Sequence, residues 1–278
     1  MAIESDWGDW LPTAVANADP DGVALWYLGC NGFALTAADG TTVFVDPYFG
    51  LGMPPRTIRM IPVPMDPADV VAADAVLATH EHSDHVDGPS QGPILAGTEA
   101  TYYGAAASLA RVDEEGWVEE YGLSEDRFRE VAAGDSLDVG SLTVHVEPAH
   151  DPNAEGEVSY VIEHEAGTFF HGGDTRHDAA TLEPIGQRYD IDLGVLAFGS
   201  VGVIHDKQTW ERTRTEWYAD ENEVIDAANA LGIDRLVPTH WDMWKGLTAD
   251  PTALYPHARS FEYPDRVEVV EIGDRIDL

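Results

Sequence analysis

Between Thr79 and His85 the chain reads Thr-His-Glu-His-Ser-Asp-His, three imidazoles and a carboxylate in the pattern His-x-His-x-Asp-His. No other segment constrains the fold as much. It follows the apolar run Ala75-Val76-Leu77-Ala78, which reads as a buried strand. Side chains at i and i+2 of an extended segment share a face, so His80 and His82 point to one place. Clustered nitrogen and oxygen donors at a strand end suit a divalent metal. A fold that uses them must bring further donors to the same end of the structure.

Three later segments offer such donors. His150 follows Val144-His145-Val146-Glu147-Pro148-Ala149, Asp174 follows Phe169-Phe170-His171-Gly172-Gly173, and His240 follows Leu236-Val237-Pro238-Thr239. Each lies just beyond an apolar run, where loops carry function on a rigid scaffold. Taken singly, a strand-end histidine is more often a hydrogen-bonding surface residue. Together with the first motif, the three complete a binuclear set.

Short apolar runs with turn signals recur along the chain. Residues 23–28, 33–36 and 42–45 read as a meander, with a turn at Asp39-Gly40. Residues 136–146 read as strands turning at Gly140, and 158–162 with 168–171 as a hairpin. Further strands are expected at 193–198, 235–238 and 267–272. Helices are expected at 98–112, 125–133 and 220–231, the last ended by Gly232. No linker or short-period repeat interrupts the chain, so it reads as one domain, 1–278, with two packed sheets and helices outside.

Composition limits the partners. Fifty-one acidic residues face 15 Lys and Arg, a net charge of -36, and the only lysines are Lys207 and Lys245. The acids are dispersed rather than gathered in a tail, as on surfaces suited to high salt, where self-repulsion is screened. A phosphate backbone would be repelled, which argues against nucleic acid and for a small molecule. With 44% hydrophobic residues the chain can build a real core. The single cysteine, Cys30, rules out an internal disulfide and reads as a packing residue. Neither a signal peptide nor a transmembrane run is visible, so the expected place is the cytoplasm, without membrane attachment. Homo-oligomerisation is left open.

The order His-x-His-x-Asp-His, His150, Asp174 within Gly-Gly-Asp-Thr, and His240 resembles the metallo-β-lactamase superfamily over nearly the whole chain. The resemblance implies an α+β, four-layer αββα sandwich of two mixed β-sheets. It implies one or two divalent ions per chain, zinc or manganese foremost. His80, His82 and His150 would hold one ion, and Asp84, His85 and His240 the other, with Asp174 bridging. Asp46, after Val43-Phe44-Val45, matches the aspartate that the family places behind its ligands.

A narrower resemblance is to the L-ascorbate-6-phosphate lactonase branch. It is carried by residues 74–87, by Leu196-Ala197-Phe198-Gly199-Ser200 and by Pro238-Thr239-His240-Trp241-Asp242-Met243-Trp244. The chain departs from that branch at His150 and in the stretch from Val201 to Trp217. The implied activity is opening of a sugar-acid lactone by a metal-bound hydroxide. No phosphate-binding motif is evident, which favours an unphosphorylated pentono- or hexonolactone. A phosphodiesterase or nuclease, and a thioesterase, are the alternatives on this scaffold.

Asp84, Asp174 and His177 are the expected catalytic residues. Asp84 is placed to relay a proton, and His177 is a second candidate acid whose plainer reading is a surface histidine. His205, Lys207, Arg212 and Arg214 are candidate contacts for a polar substrate; local ion pairing is the plainer reading for the two arginines. Trp241 and Trp244 are expected to stack on a sugar ring or to pack in the core.

Overall fold

The computed structural model describes residues 3–199, 201–206 and 208–278. After α1 (Trp10–Ala16) the chain forms the meander β1 (Val23–Gly29), β2 (Gly32–Ala37) and β3 (Thr42–Val45). Three parallel strands extend it: β4 (Ala75–Leu77), β5 (Thr101–Gly104) and β6 (Phe128–Glu130). Their connections carry α2 (Gly88–Gly97), α3 (Ala106–Glu114) and α4 (Trp117–Tyr121).

The second half repeats the plan. An antiparallel meander of β7 (Ser136–Val139), β8 (Leu142–Pro148), β9 (Val158–His164) and β10 (Gly167–His171) comes first. After α5 (Ala179–Gly186) comes β11 (Leu193–Ala197), and the small hairpin β12 (Gly202–His205) and β13 (Arg212–Thr215) follows. Beyond α6 (Glu221–Leu231), β14 (Arg235–Thr239) joins β11 in parallel, and after α7 (Leu254–Ala258), β15 (Arg266–Val267) joins β14. Finally β16 (Arg275–Asp277) crosses back to pair with β1.

The result is two seven-stranded mixed sheets. Alternate residues of β1 to β4 (Leu25, Phe33, Val43, Leu77) face Val144, Tyr160, Phe169 and Val195 of the other sheet in one core. The opposite face of the first sheet packs against Leu11, Ile94 and Trp117 of α1, α2 and α4. That of the second packs against Leu182, Ile225 and Leu254 of α5, α6 and α7. Both sheets are covered on two sides, so central strands such as β1 and β11 are apolar and buried throughout rather than alternating. This is the expected αββα sandwich.

The local signals hold at α6. Asp220 and Glu223 form a reciprocal capping box, and Gly232 closes the helix at φ 68°. Elsewhere tertiary pairing overrides local pattern. The helix expected over 98–112 is strand β5 followed by α3, because Thr101-Tyr102-Tyr103 pairs with β4. The helix expected over 125–133 is a single 3-10 turn and β6, held by Arg127, whose Nε donates to Ala100 O and Nη1 to Leu95 O. The strand expected at 267–272 shrinks to β15, and β16 takes the edge position beside β1. Residues 201–217 contain the β12–β13 hairpin; Lys207 lies outside the described residues.

Candidate metal centre and its cleft

Parallel strands all point their carboxyl ends one way, and the donors sit at that end. Asp46 follows β3, the His80–His85 segment follows β4, Asp174 follows β10 and His240 follows β14. The turn between β1 and β2 reaches the same place with Cys30 and Asn31; the His240 N–H donates to the Cys30 carbonyl at 3.0 Å.

The donors form two adjoining groups that share Asp174. In the first, His80 Nε2 lies 2.9 Å from His82 Nδ1 and 3.9 Å from Asp174 Oδ2, and His82 Nδ1 lies 3.6 Å from Asp151 Oδ2. In the second, Asp174 Oδ1 lies 3.4 Å from His85 Nε2 and 3.0 Å from His240 Nε2. One carboxylate thus presents an oxygen to each group. Donors about 2.1 Å from a tetrahedral ion are about 3.4 Å apart, so these separations fit divalent metal in both groups.

The third motif is read differently by the fold. His150 is exposed, and its backbone, not its ring, is engaged: the N–H donates to Thr175 Oγ1 at 2.8 Å. The neighbouring Asp151 supplies the buried side chain that joins His80, His82 and Asp174. Asp151 carries no motif signal of its own beside a histidine, the commoner metal ligand. His177 also stays out of the cluster; it and His150 add to the Thr181 hydrogen bond that holds the nearby Asp178 carboxyl below its usual range.

Behind the donors stands a hydrogen-bonded support. Asp46, wholly buried, accepts from the Thr79 N–H at 2.9 Å, from Thr79 Oγ1 at 2.6 Å and from His85 Nδ1 at 2.7 Å. Thr79 Oγ1 in turn accepts from His80 Nδ1 at 3.0 Å. These bonds leave Nε2 of both histidines turned to the site, and that of His85 is buried without a partner among the described residues. Asn31, which no motif flagged, donates to Asp174 Oδ1 at 3.4 Å and accepts from Thr239 Oγ1 at 2.7 Å.

Three of the four described non-glycine residues at positive φ are Cys30, Asp46 and His240. Backbone strain gathers where the site needs side chains aimed off the strand ends.

The electrostatics follow from burial and pairing. Burial alone would lower the His85 pKa, but Asp174 and Asp46 outweigh it and hold the imidazole well above its usual range. Burial, reinforced by His85, pushes His80 well below. Burial would raise Asp174, yet His240 and His85 keep its carboxyl well below the usual range. Nearby Glu157 is pushed up to about 9 by burial and by Asp151 and Asp174, and both its carboxylate oxygens are buried without a partner among the described residues.

The centre opens on a cleft of about 1080 Å³. Its wall is acidic, with Glu81, Asp84, Asp87 and Glu155 among the lining residues, and its cations are Arg56 and Arg111. Arg111 pairs with Glu115 at 2.7 Å, while Arg56 stacks over Trp217 at 5.1 Å. Trp244 also lines the cleft and donates to Tyr218 OH at 3.0 Å; Tyr218 stacks on His240 at 4.2 Å between centroids. Trp241 packs instead against the core of the second sheet. His205 lines a neighbouring pocket with Arg56, Arg212 and Lys245. Arg214 is exposed on β13.

A His/Asp cluster shared between two donor groups, on an αββα sandwich, decides the family. The profile described as the β-lactamase superfamily domain matches residues 41–241. The chain belongs to the metallo-β-lactamase superfamily. Among other members, it is 25% identical to the probable L-ascorbate-6-phosphate lactonase UlaG of Escherichia fergusonii over 295 residues, covering 90% of this chain and 78% of that one. Among solved structures it superposes on Igni18, a metallo hydrolase from Ignicoccus hospitalis, with TM-score 0.67 at 19% identity, covering 91% of this chain and 97% of that one. An isothiocyanate hydrolase from Delia radicum gut bacteria gives TM-score 0.66 at 17% identity, covering 92% and 99%. These two likenesses speak to the fold. Among the described residues, no helix of this metallo-β-lactamase-fold hydrolase is long and apolar enough to cross a membrane.

Proposed function

We propose that the protein is a metal-dependent lactonase that opens an unphosphorylated sugar-acid lactone, such as a pentono- or hexonolactone. The observation that carries this reading is the kinship with an L-ascorbate-6-phosphate lactonase over 90% of the chain. The chemistry of the cleft supports the rest. Its carboxylates offer acceptors for the hydroxyls of a neutral sugar and repel a polyanion, which disfavours a nucleic acid or phosphodiester.

His80, His82, Asp151, Asp174, His85, Asp84 and His240 would hold the ions. When bound, zinc or manganese would supply Lewis acidity and lower the pKa of water to near neutrality. Asp46 and Thr79 orient the imidazoles. Asp84 lines the cleft, and in this reading it would carry a proton to the departing ring oxygen. Trp217, stacked with Arg56, offers a flat surface for a sugar ring.

The test uses chelator-treated protein reloaded with zinc or manganese in molar potassium chloride. Candidate substrates are aldonolactones, a phosphorylated sugar lactone, a phosphodiester and a thioester. Acid release from the unphosphorylated lactones should dominate, and Asp174→Ala should reduce it by about 10²–10³-fold or more. Faster turnover of the phosphodiester or thioester, or full activity in the Asp174 variant, would overturn the proposal.

A further inference from the structure

Beside the cleft lies a second concavity, of about 530 Å³, whose charge runs against the rest of the molecule. Arg56, His205, Arg212 and Lys245 line it, and among the described residues no acid does. Elsewhere the chain gives its arginines to its many acids: Arg111, Arg176, Arg188, Arg235, Arg266 and Arg275 each pair with a carboxylate. Arg56, Arg212 and Lys245 form no ion pair among the described residues. Asp206, next to His205, lies in the field of Arg56, yet its carboxylate serves its own turn. It accepts from the N–H groups of Gln208 at 2.9 Å and Thr209 at 2.8 Å.

The backbone holds these cations together. The Lys245 N–H donates to Ile58 O at 3.0 Å, the Met60 N–H to Met243 O at 2.9 Å, and the Val203 N–H to Gly246 O at 3.3 Å. Those bonds stitch the loop before Met60, strand β12 and the segment after His240 into one wall. His205 and Arg212 are direct partners across β12 and β13, so their side chains share a face. Ile58 and Val203 add apolar wall, against which a charge pair is stronger than in water. The pocket also adjoins the cleft: Arg56 lines both, and Thr57 and Trp244, the chain neighbours of Ile58 and Lys245, line the cleft.

We propose that this pocket binds a free carboxylate carried by the substrate, at the end away from the lactone ring. The substrate is then the monolactone of a sugar diacid, a narrower member of the class proposed above, and the inference rests on that reading. Arg56 and Arg212 offer a carboxylate paired N–H donors, and Lys245 adds a point charge. No lining residue begins a helix, so the pocket lacks the N–H cradle that commonly holds phosphate. A single charge also passes the acids of the cleft at less cost than a phosphate dianion.

The test separates binding from turnover, with the double variant Arg212→Gln/Lys245→Gln. Both side chains are exposed, so the fold should tolerate the change, and circular dichroism melts check it. In calorimetric titration of metal-free wild type, the sugar-diacid monolactone should bind about tenfold or more tightly than a neutral hexonolactone. The variant should lose that advantage. In metal-loaded protein the variant should raise KM for the monolactone about tenfold with kcat kept, and leave the neutral lactone within about twofold. Equal binding of the two lactones by wild type, or an unchanged preference in the variant, would overturn the pocket assignment and leave the lactonase reading intact. Tighter binding of a phosphorylated hexonolactone than of the monolactone would give the pocket to phosphate and overturn it too. Hydrolysis of no lactone would sink the lactonase reading, and the titrations would still decide the pocket. If the variant fails to fold, the wild-type titrations decide.

Discussion

At the scale of single residues, the site is built from pairs in which one side chain aims another. Asp46 does not itself line the cleft, yet it sets Thr79 and His85, and through Thr79 it sets His80. Glu157 is the opposite case, a carboxyl held without hydrogen-bond partners among the described residues. Its pKa is pushed from 4.5 to about 9 by burial and by the neighbouring acids. Between those values the folded chain keeps a proton that the unfolded chain has lost. Stability from this group is therefore intact below about pH 4.5 and declines by about 1.4 kcal/mol per pH unit until about pH 9. In metal-free protein, the unfolding midpoint in urea should fall between pH 6 and 8.5, and Glu157→Gln should flatten that decline. Parallel slopes in the two proteins would show that Glu157 is not the group responsible.

At the scale of elements, strand ends and tight turns decide which donors meet. Gly173 lies between β10 and Asp174 at φ 59°, and a Cβ there would come 2.9 Å from the Thr79 side chain. Gly173→Ala combines a left-handed backbone with a clash against the residue that orients His80. It should cost about 1–3 kcal/mol in unfolding free energy and weaken metal binding together with it. Calorimetric titration with zinc, beside urea melts, checks both, and wild-type values in both would remove this explanation. The strands β1 to β4, β9 to β11 and β14 were legible as compact apolar runs between turn residues, and β7 and β8 as an alternating pattern turning at Gly140. Strand β5 was not, since four residues beside a helix leave no period of their own, and their state is set by the neighbour β4.

At the scale of the whole molecule, a net charge of -36 on 278 residues is a standing self-repulsion. Screening shortens to about 3 Å in molar salt. The thermal midpoint should rise by about 5–10 °C between 0.1 and 2 M potassium chloride, equivalent to a few kcal/mol. A midpoint indifferent to salt would mean that the charges are spaced widely enough to ignore one another. The same excess of acid lines the cleft, where Arg56 and Arg111 are the cations.

Residue order alone pointed to a divalent-metal site and, through the resemblance it carries, to the sandwich, and it flagged most of the clustered side chains, because strand-end ligands after apolar runs leave few other uses for so many imidazoles and carboxylates. It also placed Asp46 behind the centre and Trp244 beside it. Only the tertiary structure decided that Asp151 rather than His150 faces His80 and His82. It likewise kept His177 out of the donor cluster, packed Trp241 against the core of the second sheet, and set Cys30 and Asn31 beside donors some 50 to 210 positions away. The reason is geometric. In an irregular loop, adjacent residues point in different directions, and which one enters the site depends on how two sheets pack, which no local period encodes.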